Sequence, residues 1–190
     1  PSIITDYYPK GSLKDNQLLN MSPTKKYISL LGISNAMRYL HRNKIIHFDL
    51  KPENILYDEN YYPHISDYWL KTCFPELFLK NLNLTIKGQM KTSIYYAPEL
   101  FTDQSKYDSS VDVYSFSLLA YEIITGKKPF FELEETVELF DKIKGGYRPT
   151  FTDEVTEKMR KLLARCWSAK ISERPTFEEI YSQILNDHSI

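Results

Sequence analysis

Apolar residues recur every three or four positions in the segment that follows Ser22, and this spacing is typical of an amphipathic α-helix. The apolar stripe consists of Tyr27, Leu30, Ile33, Met37 and Leu40. Ser22 provides an N-cap, and Pro23 stands at the first helical position, where its missing N–H has no cost. The pattern predicts a helix of about five turns.

Four further helices are predicted in the second half of the chain. They cover residues 110–125, 132–144, 153–167 and 176–186. Glycines follow the first two, and Thr176 with Glu179 forms the pattern of a capping box at the start of the last. The helix over 110–125 is apolar on nearly every side, so we expect it to be buried at the centre of the fold.

Short extended segments complete the pattern. Residues 2–8 combine β-branched and aromatic types and run into Pro9-Lys10-Gly11, which predicts a strand that ends in a turn. Three briefer extended segments lie at 44–47, 55–57 and 63–66. These three segments predict small hairpins. Residues 67–99 show no regular hydrophobic period, which predicts a binding or regulatory loop. The predicted fold class is α+β, mainly α-helical, with short β-hairpins.

Composition narrows the classes of function. The chain has 190 residues, 42% of them hydrophobic, with 24 Lys and Arg against 25 Asp and Glu, which suits one globular domain. The near balance of positive and negative charges argues against nucleic acid as a partner and against a polybasic membrane anchor. No apolar run approaches the length of a membrane span. Two cysteines without metal spacing favour a reducing compartment, so we predict a cytoplasmic location and no zinc site.

One ordered series of motifs carries the candidate chemistry. It begins with His47-Phe48-Asp49-Leu50-Lys51-Pro52-Glu53-Asn54 and continues with Asp67, Ala97-Pro98-Glu99 and Asp112. A lone Asp or Asn in a loop is most often a turn residue. The joint agreement of these motifs over nearly the whole chain instead resembles the C-terminal catalytic lobe of a protein kinase.

The resemblance implies phosphoryl transfer from ATP to protein substrates. Asp49 would accept or orient the proton of the substrate hydroxyl, and Lys51 would neutralise charge on the γ-phosphoryl group. Asn54 and Asp67 would hold Mg²⁺ against the phosphates. A lysine two residues after the acid is the serine/threonine form of the family, so Ser/Thr specificity is predicted.

The first residues resemble the kinase hinge, which would bind the adenine of ATP. Thr5 stands in the gatekeeper place, backbone groups of Asp6 and Tyr8 would pair with the adenine edge, and Leu56 would pack beneath its ring. Taken without the other motifs, residues 3–8 are better interpreted as an edge strand rich in aromatic residues than as a hinge.

Other positions resemble structural residues of the family. Glu99 would form a buried ion pair with Arg174, and Asp112 would hold the Asp49 loop through backbone N–H groups. Thr92 resembles the threonine that bridges toward the catalytic Asp and Lys. Cys166-Trp167 followed by Arg174-Pro175 resembles the tyrosine-kinase-like group of Ser/Thr kinases, and His47 is expected to be a packed structural imidazole.

Two positions depart from the family pattern. Phe48 replaces the arginine that often meets a phosphate on the activation loop, so we expect activation that does not depend on that contact. Tyr68 and Trp69 replace the Phe and Gly of the Asp-Phe-Gly triplet. Trp69 resists backbone angles that glycine tolerates, which leaves a pseudokinase as the alternative reading.

Residues 1–190 are predicted to be a partial kinase domain, made of hinge and C-terminal lobe. No glycine-rich phosphate loop, strand lysine or partner glutamate helix is found in the sequence, so the N-terminal lobe is expected upstream and these residues alone are expected to be inactive. Two alternatives remain open: an interaction module that docks partners through residues 132–144 and the long loop, and a phosphotransferase acting on small molecules.

Overall fold

The computed structural model describes residues 4–15, 21–69, 73, 93–101, 108–134 and 137–187. Its helices are α1 (Pro23–Arg42), α2 (Ser110–Thr125), α3 (Val137–Lys144), α4 (Glu157–Cys166) and α5 (Phe177–Leu185). Strands β1 (Ile55–Tyr57) and β2 (Pro63–Ile65) form one antiparallel pair, and 3₁₀ turns cover Pro52–Asn54, Pro98–Phe101 and Ile171–Glu173. The predicted α+β, mainly helical class is confirmed.

Helix α1 follows the sequence prediction closely. The Ser22 side chain accepts a hydrogen bond from the Lys25 backbone N–H at 3.3 Å, which caps the helix. Its apolar stripe packs against the hairpin and the other helices, with Tyr27 partly buried and the other four residues buried. Gly32 lies so close to the hairpin that an added Cβ would come within 2.6 Å of Pro63 Cγ. A small residue at position 32 is therefore needed for α1 to pack on β2.

Helix α2 is the central helix of the fold. All of its residues are buried except Ser110 and Glu122, as its apolar sequence predicted. Its buried hydroxyls donate inward, for example from Ser115 Oγ to the Tyr95 carbonyl at 2.7 Å. The helix ends at Gly126, whose φ of +69° suits glycine, and Lys26 Nζ donates to the Ile124 carbonyl at 2.7 Å. Both the position and the bounds of the predicted helix over 110–125 are confirmed.

The hairpin β1–β2 joins the first residues of the chain to the lobe. Leu56 pairs with His64 across the two strands. On the other side of β1, Tyr57 N–H donates to the Gly11 carbonyl at 2.9 Å and Leu13 N–H donates to the Ile55 carbonyl at 2.7 Å. Residues 10–13 are thus fixed to the hairpin by backbone hydrogen bonds.

Two predicted extended segments are not strands. Residues 4–8 form no strand, since backbone pairing with β1 begins only at Lys10; residues 2 and 3 lie outside the described residues. Residues 44–47 are not extended in a sheet either. The backbone N–H of Ile45 donates to the Leu40 carbonyl at 2.9 Å, which folds this segment back onto the end of α1.

Two helices begin later than predicted. Helix α3 begins at Val137 rather than at 132, because Phe130 has a φ of +61° and the N–H of Leu133 donates to its carbonyl, closing a turn before the helix. Helix α4 begins at Glu157 rather than at 153, because the Thr156 side chain caps it by accepting from Met159 N–H at 3.3 Å. The capping box of Thr176 and Glu179 at α5 is confirmed.

Cys73 and Cys166 are both free thiols, the first exposed and the second buried. Within the described ranges, none of the helices is long and apolar enough to span a lipid bilayer.

Candidate active site

Asp112, at the start of α2, anchors the loop that carries the predicted catalytic residues. Its Oδ2 accepts from the His47 backbone N–H and its Oδ1 from the Phe48 backbone N–H, both at 2.8 Å. Nε2 of His41, in the last turn of α1, also lies 2.8 Å from Oδ2 and must donate to it, because a carboxylate only accepts. Asp112 is completely buried, so these three donors stabilise its charge. The predicted anchoring role of Asp112 is confirmed.

The buried imidazole of His47 links two segments of the site. Its Nε2 lies 2.9 Å from the Ser66 carbonyl oxygen, which only accepts, so Nε2 carries a proton. Its Nδ1 accepts from the Asp49 backbone N–H at 3.3 Å. Both ring nitrogens are therefore used by a neutral imidazole, and the predicted structural role of His47 is confirmed.

The structure brings Asp49, Lys51 and Asn54 together. Lys51 Nζ lies 2.7 Å from Asp49 Oδ2, and Asn54 Nδ2 donates to the same oxygen at 3.2 Å and to the Asp49 carbonyl at 2.7 Å. The 3₁₀ turn over Pro52–Asn54 positions the asparagine for these contacts. Asp49 and Lys51 keep about a quarter of their side-chain surface exposed, so a substrate can reach this cluster.

Asp67 lies beside the same cluster through its neighbour Ser66. The Ser66 backbone N–H donates to the Asn54 carbonyl at 2.9 Å, and its hydroxyl approaches that oxygen at 3.3 Å. Asp67 itself has a left-handed φ of +63° and is partly buried. Backbone strain of this kind in a residue other than glycine is concentrated at functional sites.

The predicted nucleotide-binding residues lie along residues 4–8 and the hairpin. Thr5 and Asp6 are exposed, while the Tyr8 ring packs on the His64 ring with 4.7 Å between centroids. Leu56 is partly buried and bridges to Ser12. Their contact with adenine stays a prediction.

Two large apolar side chains of these segments are exposed. Ile4 is 96% exposed and Tyr68 37% exposed. Leu56, by contrast, is partly buried.

The two departures from the family pattern have different outcomes. Phe48 is buried with a φ of +69°, so an aromatic ring packs in the core where an arginine would face a phosphate. At Trp69, the expectation that the indole side chain leaves the Asp67 loop fewer arrangements stays a prediction; in the conformation described, Asp67 has a positive φ and Trp69 does not. The tryptophan therefore fits this loop conformation without left-handed backbone.

The predicted ion pair between Glu99 and Arg174 is confirmed. The two side chains meet in a bidentate arrangement, with Nη1 to Oε1 at 2.5 Å and Nη2 to Oε2 at 3.0 Å. Arg174 is buried and also donates to the carbonyls of Ser110 and Ser168, each at 3.1 Å. The pair fixes the end of the long loop to α2 and to the segment before α5. Thr92 lies outside the described residues.

Two contacts of the site were missed by the sequence reasoning. His41 was overlooked, although it lies four positions after Met37 and so shares the buried face of α1. Tyr95 donates a short hydrogen bond from its hydroxyl to Glu122 Oε2, across 27 positions of the chain. Burial raises the pKa of Glu122 to about 7, against the opposing effect of that hydrogen bond. No local sequence signal marks this second contact.

A mainly helical fold with an acid, a lysine and an amide in one loop, anchored to its buried central helix, is the arrangement of a protein-kinase type of lobe. Comparison with known proteins agrees. The family model of protein tyrosine and serine/threonine kinases matches residues 1–184.

Curated relatives of the chain carry kinase names. It is 35% identical over 187 residues to dual specificity protein kinase pyk3 of Dictyostelium discoideum, covering 97% of this chain and 13% of that protein. It is 33% identical over 190 residues to serine/threonine-protein kinase 12 of Arabidopsis thaliana, covering 96% of this chain and 40% of that protein. It is 33% identical over 188 residues to a putative serine/threonine-protein kinase/receptor of Acanthamoeba polyphaga mimivirus, covering 96% and 11%.

The chain belongs to the protein tyrosine and serine/threonine kinase family. It spans between about a tenth and two fifths of the length of these relatives.

Proposed function

We propose that the chain is the C-terminal catalytic lobe of a protein kinase that transfers the γ-phosphoryl group of ATP to Ser or Thr hydroxyls of proteins. The observation that carries this proposal is the cluster at Asp49, in which Lys51 and Asn54 share one carboxylate oxygen and Asp112 fixes the loop behind. A fixed carboxylate of this kind can take the proton of an attacking hydroxyl.

In the proposed mechanism each residue has a separate task. Asp49 accepts the hydrogen bond of the substrate hydroxyl and receives its proton. The ammonium of Lys51, 2.7 Å from Asp49, supplies positive charge for the transferred phosphoryl group. Asp112 and His47 act indirectly, because they hold the backbone of the loop so that the Asp49 carboxylate keeps its direction.

The residues present fit a magnesium ion, which the family generally uses with ATP. Asn54 directs its amide nitrogen to Asp49, so its amide oxygen remains as a hard neutral ligand. Asp67 would add a carboxylate, since the backbone of its neighbour Ser66 is bonded to Asn54, and Mg²⁺ is usually held by one or two such groups together with substrate phosphates. When bound, the ion would neutralise phosphate charge. Among the described residues no cluster of three or more His, Cys, Asp or Glu side chains suggests another metal site.

Further parts of the proposal rest on sequence patterns. Lys51 supports Ser/Thr rather than Tyr specificity, and relatives of the chain carry serine/threonine or dual-specificity names. Thr5, Asp6, Tyr8 and Leu56 are proposed to line the adenine site. Residues 1–190 are proposed to be a partial kinase domain that works with an N-terminal lobe, in the cytoplasm and on protein substrates.

A pseudokinase is the second candidate. The observation in its favour is that the Oδ1 atom of Asp49 is shielded from solvent, so the carboxylate is not ready to act in the conformation described. In that case the lobe would bind partners without transferring phosphate.

Assays on the longest natural polypeptide that contains this chain distinguish the two candidate functions. We expect it to bind ATP in a magnesium-dependent way and to phosphorylate a generic acceptor such as myelin basic protein, while Asp49→Asn abolishes transfer without weakening nucleotide binding. A matched control is Asp141→Asn, an exposed carboxylate on α3. Transfer that survives in Asp49→Asn would refute the assignment of the base, and nucleotide binding without transfer would favour the pseudokinase.

A further inference from the structure

His64 connects two of the residues that are proposed to line the adenine site. In the hairpin it is the cross-strand partner of Leu56. Its ring also packs on the Tyr8 ring, with 4.7 Å between the centroids and 44° between the ring planes. Directly opposite residues of an antiparallel pair share one face of the sheet, so the ring contact places Tyr8 on the face of the hairpin that carries Leu56.

The His64 imidazole is held by the turn of its own hairpin. Its Nε2 lies 3.3 Å from Asp58 Oδ2 and donates to it, because a carboxylate only accepts. Asp58 is fixed in turn, since its Oδ1 accepts from the backbone N–H groups of Asn60 and Tyr62, both at 2.9 Å. The imidazole therefore has a defined direction on β2, against which Tyr8 can pack.

Tyr8 is tied to the hairpin through its backbone as well as through its ring. Its carbonyl accepts from the Gly11 N–H at 3.1 Å, and the Gly11 carbonyl accepts from the Tyr57 N–H at 2.9 Å. Residues 4–8 are not part of a strand in the described structure, so no ladder of backbone hydrogen bonds fixes the direction of the Tyr8 side chain. The ring of His64 supplies that direction.

We infer that His64 is a positioning residue of the proposed adenine site: its ring keeps Tyr8 at a fixed separation from Leu56, so that the site has its binding geometry before the nucleotide arrives. This inference rests on the proposed function, because it places adenine between residues 4–8 and β1. A preorganised site loses less conformational freedom when its ligand binds. Loss of the ring contact should therefore weaken the binding of adenine nucleotides and leave the chemical step at Asp49 unchanged.

The first test measures the ring contact in this chain without a nucleotide. The carbon-bound ring protons of His64 are followed by NMR and assigned by their loss in His64→Ala. Tyr8→Leu removes the neighbouring aromatic ring, whose ring current acts on those protons, so their signals should move. Glu59→Ala, at an exposed position in the turn of the same hairpin, should leave them in place. His64 signals that do not move in Tyr8→Leu would overturn the inference.

The second test measures Mg-ADP binding by calorimetry in the longest natural polypeptide that contains the chain. His64→Ala should weaken binding by roughly three- to tenfold, the effect of losing one aromatic contact. His64→Phe keeps a ring against Tyr8 but cannot donate to Asp58, and it should bind Mg-ADP within about twofold of the unchanged protein. Glu59→Ala, the matched control, should bind normally. Unchanged binding in His64→Ala, or equal losses in His64→Ala and His64→Phe, would overturn the inference.

Steady-state kinetics of the same polypeptide separate positioning from chemistry. With myelin basic protein as the acceptor, His64→Ala should raise KM for ATP by the same factor and change kcat by less than about twofold. A fall in kcat at unchanged KM would overturn the inference. Absence of Mg-ADP binding in the unchanged protein would contradict the proposed function and the inference together, whereas unmoved His64 signals in Tyr8→Leu contradict the inference alone.

Discussion

Asp112 and His41 are joined by a hydrogen bond of 2.8 Å between a carboxylate oxygen and a ring nitrogen, although they lie 71 positions apart in the chain. The same Asp112 oxygen receives the backbone N–H of His47, two residues before Asp49. The end of α1, the start of α2 and the Asp49 loop therefore meet at one buried carboxylate. Any change at this carboxylate should affect both the stability of the lobe and the direction of Asp49.

Asp112→Asn is the direct test of this meeting point. The asparagine side chain would place an N–H group where the neighbouring N–H donors need an acceptor. One buried N–H would then remain without a partner. We expect the free energy of unfolding to fall by about 2–4 kcal/mol, measured by urea denaturation of the chain. Asp141→Asn, on the exposed surface of α3, should change it by less than about 0.5 kcal/mol. Equal stabilities of Asp112→Asn and the unchanged chain would contradict this account.

The ion pair of Glu99 and Arg174 gives a second prediction. Arg174→Met should cost about 3–5 kcal/mol of unfolding free energy, because Glu99 would keep a poorly hydrated charge without its partner. The double variant Glu99→Gln with Arg174→Met should recover part of this loss, and a double-mutant cycle measures the coupling. If the two losses simply add, the pair is not coupled as the bidentate geometry requires.

Two buried phenols offer a matched comparison. The Tyr57 hydroxyl lies 2.8 Å from Ser29 Oγ, whereas the Tyr114 hydroxyl on α2 is buried and forms no hydrogen bond with the described residues. Tyr57→Phe should therefore cost about 1 kcal/mol, while Tyr114→Phe should be neutral or slightly stabilising. Thermal unfolding of the two variants under identical conditions decides this. A larger loss for Tyr114→Phe than for Tyr57→Phe would show that the Tyr114 hydroxyl has a partner.

Glu122 makes stability depend on pH. Burial raises its pKa in the folded chain to about 7 from the usual 4.5, so the folded state binds this proton more tightly than the unfolded state does. The contribution of Glu122 to stability is therefore present below about pH 4.5 and is lost as the pH rises through about 7. We expect this to lower the unfolding free energy by about 2 kcal/mol between pH 5 and pH 8.

Glu122→Gln should remove that part of the pH dependence, because glutamine does not titrate. Urea denaturation at pH 5 and pH 8 gives the difference for both proteins. Glu138→Gln, on the exposed surface of α3, serves as the control and should keep the dependence of the unchanged chain. An identical pH dependence in Glu122→Gln would show that this carboxyl is not responsible.

The parts of the fold that the sequence predicted well are those with local signals. The bounds of α2 follow from its apolar surface on every side and from Gly126, and both signals depend only on neighbouring residues. The start of α3 was predicted too early because the turn at Phe130 depends on a positive φ that no glycine marks. The strand over residues 2–8 was predicted from composition, but a strand also needs a paired neighbour, which composition does not show and which the described residues 4–8 lack.

Parts of the candidate site were predictable where a motif marks a contact between residues that are far apart in the chain. The order of motifs pointed to Asp112 behind the Asp49 loop and to Glu99 beside Arg174, across 75 positions. The contacts of His41 with Asp112 and of Tyr95 with Glu122 have no such motif. They depend on how separate segments pack against α2, and the hydrophobic period of one segment carries no information about its tertiary partner.

The backbone bonds between residues 10–13 and β1 have a mechanical consequence. Since Gly11 and Leu13 are tied to the hairpin that carries Leu56, this stretch moves as one piece with the helical lobe. Residues 4–8 have no such bonds to a strand. Any rotation, relative to the lobe, of what comes before Lys10 must therefore take place within residues 4–9, with the hairpin as its fixed base.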